Sequence, residues 1–296
     1  IQWMRAKWTR KDAVSSGAIP QDLLVHQPRA EMRYLLSTVE NPLVARLHAH
    51  LCEFADTKRA SQPAGIVPLA QVVTIHRGEE LSKAAALLAV HPPADGQIWY
   101  PVLRGGVDVR PYAVPHGKCW IARTAIEKPL ERYLAPTLLV VKSAGQLQAT
   151  LDLQGHVVLQ TLYLLAPRRE GEQQRILDEL YFLLALLNSR LMREYVWVLY
   201  TAYKWVQPQI EQHVLARLPI PALETAEKAS IIERARLLMH ACSHLTSIVE
   251  LKESRQIYEE QEHAISALYA AALQQQDVME SVRQVDKGVK GVYLDG

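Results

Sequence analysis

The chain has 296 residues, 49% hydrophobic and 22% charged, an ordinary globular composition that excludes a dominantly disordered or collagen-like polypeptide. Its 33 Lys and Arg nearly cancel 31 Asp and Glu, leaving a formal net charge of +2. Three scattered cysteines, Cys52, Cys119 and Cys242, do not make a disulfide framework and lead us to expect a reducing, cytoplasmic setting.

Residues 1–65 read as a lead-in with one helix. Trp3, Trp8, Arg5, Lys7, Arg10 and Lys11 mix with Pro20 and Pro28 without periodicity, and a start at Ile1 rather than Met leads us to expect a piece of a longer protein. Leu43, Leu47, Leu51 and Phe54 recur at helical spacing and predict a helix over 42–54. The character then changes. Ile66 to Ile75 is rich in β-branched residues and predicts a strand. Further strands are expected over 99–103, 118–122, 137–142, 147–151 and 157–165, with Gly105, Gly106, Gly145 and Gly155 among the punctuating turns. Short strands so punctuated predict a twisted antiparallel sheet within an α+β fold.

Helices follow. Ile176, Leu177, Leu180, Leu184 and Leu187 share one face over 172–188, and an aromatic-bearing apolar stretch runs over 191–203. Leu218-Pro-Ile-Pro-Ala-Leu223 is too proline-rich for a helix interior. Ile231, Ala235, Leu238, Cys242, Leu245 and Val249 repeat at alternating four and three, a coiled-coil-like seam that packs on its own domain or on a partner helix. The pattern slips near 252–256 and resumes at Ile257, which predicts a bent helix or a helical hairpin. The expected organisation is therefore a lead-in over 1–65, a unit of short strands and helices over 66–223 and a helical tail over 224–296. Charge is divided likewise: residues 100–150 hold seven Lys/Arg against three Asp/Glu, whereas 224–286 hold eleven acidic and six basic residues. No run of 18 apolar residues exists, so no membrane span is expected.

Several chemistries lack their motifs. There is no Gly-rich nucleotide loop and no Gly-x-Ser-x-Gly elbow. His91-Pro92-Pro93-Ala94 is not the Asn-Pro-Pro-aromatic loop that holds a flipped adenine, because His does not replace Asn and Ala does not stack. Two His/Cys runs, His48-x-His50-x-Cys52 and His240-x-Cys242-x-His244, do not converge at helical geometry, so no metal is expected. Cys119 beside His116 is the one nucleophile pair to weigh, as a Cys-dependent enzyme; a buried structural thiol is the favoured reading.

Five stretches in order resemble the TaqI-like C-terminal specificity domain of adenine-specific DNA methyltransferases and restriction-modification enzymes. They are Tyr100-Pro-Val-Leu-Arg-Gly-Gly-Val-Asp-Val-Arg-Pro-Tyr112, Ala135-Pro-Thr-Leu-Leu-Val-Val-Lys142, Ala149-Thr-Leu-Asp152 with the strand to Tyr163, Leu186-Leu-Asn-Ser-Arg-Leu191, and Leu218-Pro-Ile-Pro221. Type I restriction specificity subunits share the closing pattern and a following helix. The resemblance implies sequence-specific recognition of double-stranded DNA for a catalytic methyltransferase domain, in cis or in trans. S-adenosylmethionine is then the parent enzyme's cofactor, with none in this segment. The alternative it implies is a stand-alone specificity subunit. The candidate DNA contacts are Arg77, Lys83, Arg104, Arg110, Lys118, Arg123, Lys128, Arg132, Lys142, Tyr203 and Lys204, as phosphate-neutralising or base-reading groups. For Arg104 and Arg110 the bland reading is a pairing with Asp108 that holds the turn. Self-association through 231–249 is a further expectation.

Overall fold

The computed structural model describes residues 2–6, 13–18, 43–44, 46–47, 65–80, 88–134, 136–143, 146–168, 171–201, 209–244 and 248–292. The lead-in contains an antiparallel hairpin, β1 (Gln2–Ala6) with β2 (Ala13–Ala18), that periodicity did not announce. Leu43, Val44, Arg46 and Leu47 are helical as expected, and Val44 and Leu47 are buried in the main core; residues 48–54 of that predicted helix lie outside the described residues.

The predicted strand over 66–75 is two strands. β3 (Ile66–Pro68) stops at Pro68, one helical turn α1 (Leu69–Val72) redirects the chain, and β4 (Val73–Arg77) enters a different sheet. β5 (Leu88–Ala89), β6 (Trp99–Leu103), β7 (Cys119–Ala122), β8 (Thr137–Val141) and β9 (Ala149–Asp152) follow. The stretch 157–165 likewise divides, into β10 (Val157–Val158) and β11 (Leu162–Pro167). Two four-stranded sheets result: an inner one in the order β4-β11-β8-β9, antiparallel throughout, and an outer one in the order β10-β6-β7-β5. In the outer sheet β10 runs parallel to β6, a departure from the antiparallel expectation that a two-residue strand conceals from sequence.

The inner sheet is covered on both faces. Leu138, Val140, Tyr163 and Leu165 point into a large core with the helices, while Leu139, Val141, Leu162 and Leu164 point into a second core against the outer sheet. Double burial explains why β8 reads Thr-Leu-Leu-Val-Val without polar alternation.

α2 (Gln173–Asn188) is buried around most of its C-terminal half, from Phe182 to Asn188. Ser189 ends it and starts α3 (Arg190–Val196): its backbone is extended, and its hydroxyl donates to Leu186 O (2.7 Å) and accepts from Met192 N (3.2 Å). A π-helical turn, Trp197–Thr201, prolongs α3. After α4 (Gln212–Ala216), β12 (Pro219–Pro221) pairs antiparallel with β3, so the two ends of the 66–221 segment meet.

α5 (Thr225–His244) and α6 (Ile248–Val292) form a hairpin, one of the two predicted forms, joined by an Arg234–Glu260 ion pair at 3.6 Å; the break falls elsewhere than expected, because α5 ends at His244 and α6 begins at Ile248, which divides the 231–249 seam, whereas 252–256 is continuous helix within α6. Ile231, Ala235 and Leu238 of the heptad seam enter the chain's own main core with Ile265, Tyr269 and Leu273 of α6. Polar clamps fix α5 on α2: Lys228 pairs with Glu179 at 2.7 Å and lies over the Phe182 ring, and Arg236 pairs with Asp178. Tyr269 Oη donates to Pro219 O at 2.6 Å, which ties α6 to the β3–β12 closure. Among the described residues, no helix is long and apolar enough to cross a membrane.

Candidate nucleic-acid interface

Strand directions bring several predicted cations to one end of the sheets. β4 ends at Arg77, β8 ends at Val141, and antiparallel β11 begins at Leu162, so Arg77, Lys142 and the Gln160–Thr161 turn share an end of the inner sheet. The outer sheet arrives at the same place. Leu159 N donates to Leu103 O (3.1 Å), Gly105 N to Thr161 Oγ1 (2.8 Å), and Lys142 N to Thr161 O (2.9 Å). Gly105 serves this approach, because a Cβ there would stand 2.4 Å from Thr161 O. Arg77 is held outward by a 2.8 Å hydrogen bond to Gln160 Oε1.

The organiser of this end is a residue that sequence reasoning did not single out. Glu79 is 2% exposed. Its carboxylate accepts from Lys128 N (3.0 Å), Glu127 N (3.3 Å) and Tyr133 Oη (2.7 Å), while Lys128 Nζ donates to Gly78 O. One buried carboxylate thus folds the 127–133 segment back onto β4 and brings Lys128 and Arg132 to Arg77. Burial lowers the Lys128 ammonium, with Glu79 opposing and Arg132 and Arg77 adding to the lowering. Burial and then Arg132 lower the His76 imidazole. Gly78 is required here as well: a Cβ would meet Val158 O at 2.3 Å.

The remaining predicted residues separate. Arg104 pairs with Asp108, Nε to Oδ2 at 3.0 Å, with the Asp108 side chain fully buried; the pairing reading holds for Arg104. Arg110 and Lys118 are exposed on the β6–β7 connection, and neither makes a side-chain hydrogen bond or ion pair among the described residues. Arg123 follows the far end of β7, where Trp99 faces Ala122, and its Nη1 donates to Ile126 O at 3.3 Å. Lys83, Tyr203 and Lys204 lie outside the described residues. Tyr200, from the aromatic-bearing stretch over 191–203, packs half-buried against the main core. Cys119 is half-buried on β7 and His116 exposed, with no hydrogen bond between them. Of the two His/Cys runs, 48–52 lies outside the described residues, and Cys242 packs against the core.

The Asn188-Ser189 pair, quoted for the resemblance, does structural work. Asn188 is fully buried; its Oδ1 accepts from Ala149 N and its Nδ2 donates to Ala149 O, both at 2.9 Å. It anchors the last helical turn to β9. Ser189 then starts α3, so two adjacent residues fix a strand and two helices. Residues 100–220 match the TaqI-like C-terminal specificity domain. The match begins in β6 and ends in β12, and it contains Arg104, Arg110, Lys118, Arg123, Lys128, Arg132 and Lys142.

No curated protein matches the chain. Among solved structures it is similar to a protein of a type I restriction-modification assembly (15% identity, TM-score 0.42, covering 82% of this chain and 54% of that one). It is similar to the HsdS subunit from Thermoanaerobacter tengcongensis (15%, 0.39, 81% and 52%). It is also similar to the type IIL restriction-modification enzyme MmeI, solved in complex with DNA (9%, 0.45, 72% and 36%). The chain spans about half the length of the first two and about a third of MmeI.

Proposed function

We propose that residues 66–223 are a DNA target recognition domain that selects the sequence acted on by an adenine-specific DNA methyltransferase, or methyltransferase-endonuclease, of a restriction-modification or phage-defence system. The observation that carries this reading is the specificity-domain match over 100–220, which contains the half-buried Lys128, Arg132 and Lys142 of the cluster at one end of the two sheets and the exposed Arg110 and Lys118 of the β6–β7 connection. A cluster built from Arg77, Lys128, Arg132 and Lys142 suits a phosphate backbone. Arg110 and Lys118 project from the neighbouring connection, where side chains can reach base edges.

In this reading the methyl donor, S-adenosylmethionine, belongs to a catalytic domain attached in cis or in trans, and the described residues act by positioning DNA. Lys83, Tyr203 and Lys204 extend the contact set. The setting is the cytoplasm, where such DNA is met. The second reading, a stand-alone specificity subunit, is favoured by the α5–α6 hairpin that follows the domain. Self-association through 231–249 is its least supported element, because Ile231, Ala235 and Leu238 already serve this chain's own core.

The test is binding of the full chain to mixed-sequence duplex DNA at increasing salt. Affinity should fall steeply and linearly on a double-logarithmic plot. Binding that is absent at low salt, or indifferent to salt, overturns the reading.

A further inference from the structure

Among the described residues, Tyr112 is the sole non-glycine residue with positive φ, at 58°. A bulky side chain in the left-handed region is strained and persists only where its surroundings over-determine it. Those surroundings are unusual. Tyr112 is 3% exposed although it belongs to the long β6–β7 connection, and three separate elements hold it and its neighbours. Gln261 of α6, itself fully buried, donates from Nε2 to Tyr112 Oη at 2.5 Å. Thr150 of β9 donates from Oγ1 to Ala113 O at 2.5 Å. Ser243 of α5 accepts from Val114 N at 3.0 Å and donates to Met239 O at 2.7 Å. Ala113 N closes the turn on Arg110 O at 3.3 Å. Arg110 therefore opens the same turn as a strained tyrosine, two residues before it, that the helical tail grips.

We propose that the α5–α6 hairpin sets the conformation of the DNA-facing β6–β7 connection, with Gln261 and Tyr112 as positioning residues for Arg110. This rests on the DNA-recognition reading and assigns the tail a part in it. The helices then do more than space or dimerise. They hold a polar tether across the main core, and a partner that bends the hairpin alters how Arg110 is presented. The rigidity argument is energetic: a strained φ kept by three hydrogen bonds relaxes when one is removed, and relaxation here moves the segment that carries the exposed cation.

Gln261→Leu removes the donor at similar volume, and Tyr112→Phe removes the hydroxyl from the other side, so either variant tests the tether if the other folds poorly. Two measurements on the full chain decide it. The first is amide hydrogen exchange, where the variants should exchange faster at 112–114 while β8 and β11 keep their protection. The second is a double-mutant cycle on mixed-sequence duplex DNA. Gln261→Leu should weaken binding by about tenfold in the wild-type background, the scale of one lost arginine contact, and have no further effect in an Arg110→Ala background. Unchanged exchange at 112–114, or the same loss in both backgrounds, overturns the tether. A wild-type chain that binds no DNA fails the underlying reading instead, and the exchange measurement still tells the two failures apart.

Discussion

Asn188 holds Ala149 by both of its backbone groups, at 2.9 Å each, in a fully buried contact between the end of α2 and the start of β9. A short side chain does there what a neighbouring strand would otherwise do. This is why asparagine rather than aspartate suits the position: the site needs one donor and one acceptor side by side.

Replacing Asn188 by Leu keeps the forked shape of the side chain and leaves an amide and a carbonyl of Ala149 without partners. Each such buried group costs about 1–3 kcal/mol, so the variant should lose roughly 2–6 kcal/mol of stability by denaturant titration. A loss below about 0.5 kcal/mol, the range of an ordinary surface change, contradicts the assignment.

Glu79→Ala sets two effects against each other. Removing a negative charge beside Arg77, Lys128 and Arg132 raises the positive field, which by itself tightens DNA binding. It also releases the amides of Glu127 and Lys128 and the Tyr133 hydroxyl, and with them the geometry of the cation cluster. The expected outcome in an affinity titration is weaker binding despite the added positive charge. Tighter binding would mean that charge alone, not placement, matters at this end of the sheets.

Arg104→Ala and Arg110→Ala should part company. Arg104 is committed to the buried Asp108, so its removal should appear as about 1–2 kcal/mol of lost stability with little change in DNA affinity for the folded protein. Arg110 has no such partner among the described residues, and its loss should weaken DNA binding while the melting curve stays in place. Paired melting and binding measurements on both variants check this.

Glu262 provides a pH signature. Burial raises its carboxyl above the ordinary value of 4.5, with the Arg190 amide and Tyr258 hydroxyl opposing. An acid with a raised folded-state pKa favours the folded protein most when protonated, so its ionisation removes stability as pH climbs through that pKa. Glu262→Gln keeps an acceptor for Arg190 N, which donates to Glu262 Oε2 at 2.9 Å, and abolishes the titration. The variant should be more stable than wild type at neutral pH, with the difference shrinking as pH falls toward 4.5. A pH-independent difference would refute this.

What sequence reasoning read correctly was local. β6, β7, β8 and α2 carry their own signals in β-branched runs or helical periodicity, and the Leu218-Pro-Ile-Pro221 closure declares itself by proline. What it missed depends on distant partners. Nothing near Glu79 marks it as buried, because its partners are about fifty positions away at Lys128 and Tyr133. The break at Leu69 within 66–75 arises because β3 and β4 pair with different sheets, β3 with β12 and β4 with β11. The seam at 231–249 was visible as a heptad, but periodicity does not say which surface it meets; here Ile231 and Leu238 meet the core formed with α2 and α6. Lys83, Tyr203 and Lys204 lie outside the described residues, so their part in the site rests on the resemblance and their charge or ring alone.

The central claim is that this chain reads DNA sequence, and the most direct measurement is selection of bound duplexes from a randomised pool by the full chain. The expected result is enrichment of one defined motif, with enrichment lost in Arg110→Ala or in a Lys128→Ala, Arg132→Ala double variant. A pool that stays random after repeated rounds, although DNA is retained, would contradict it.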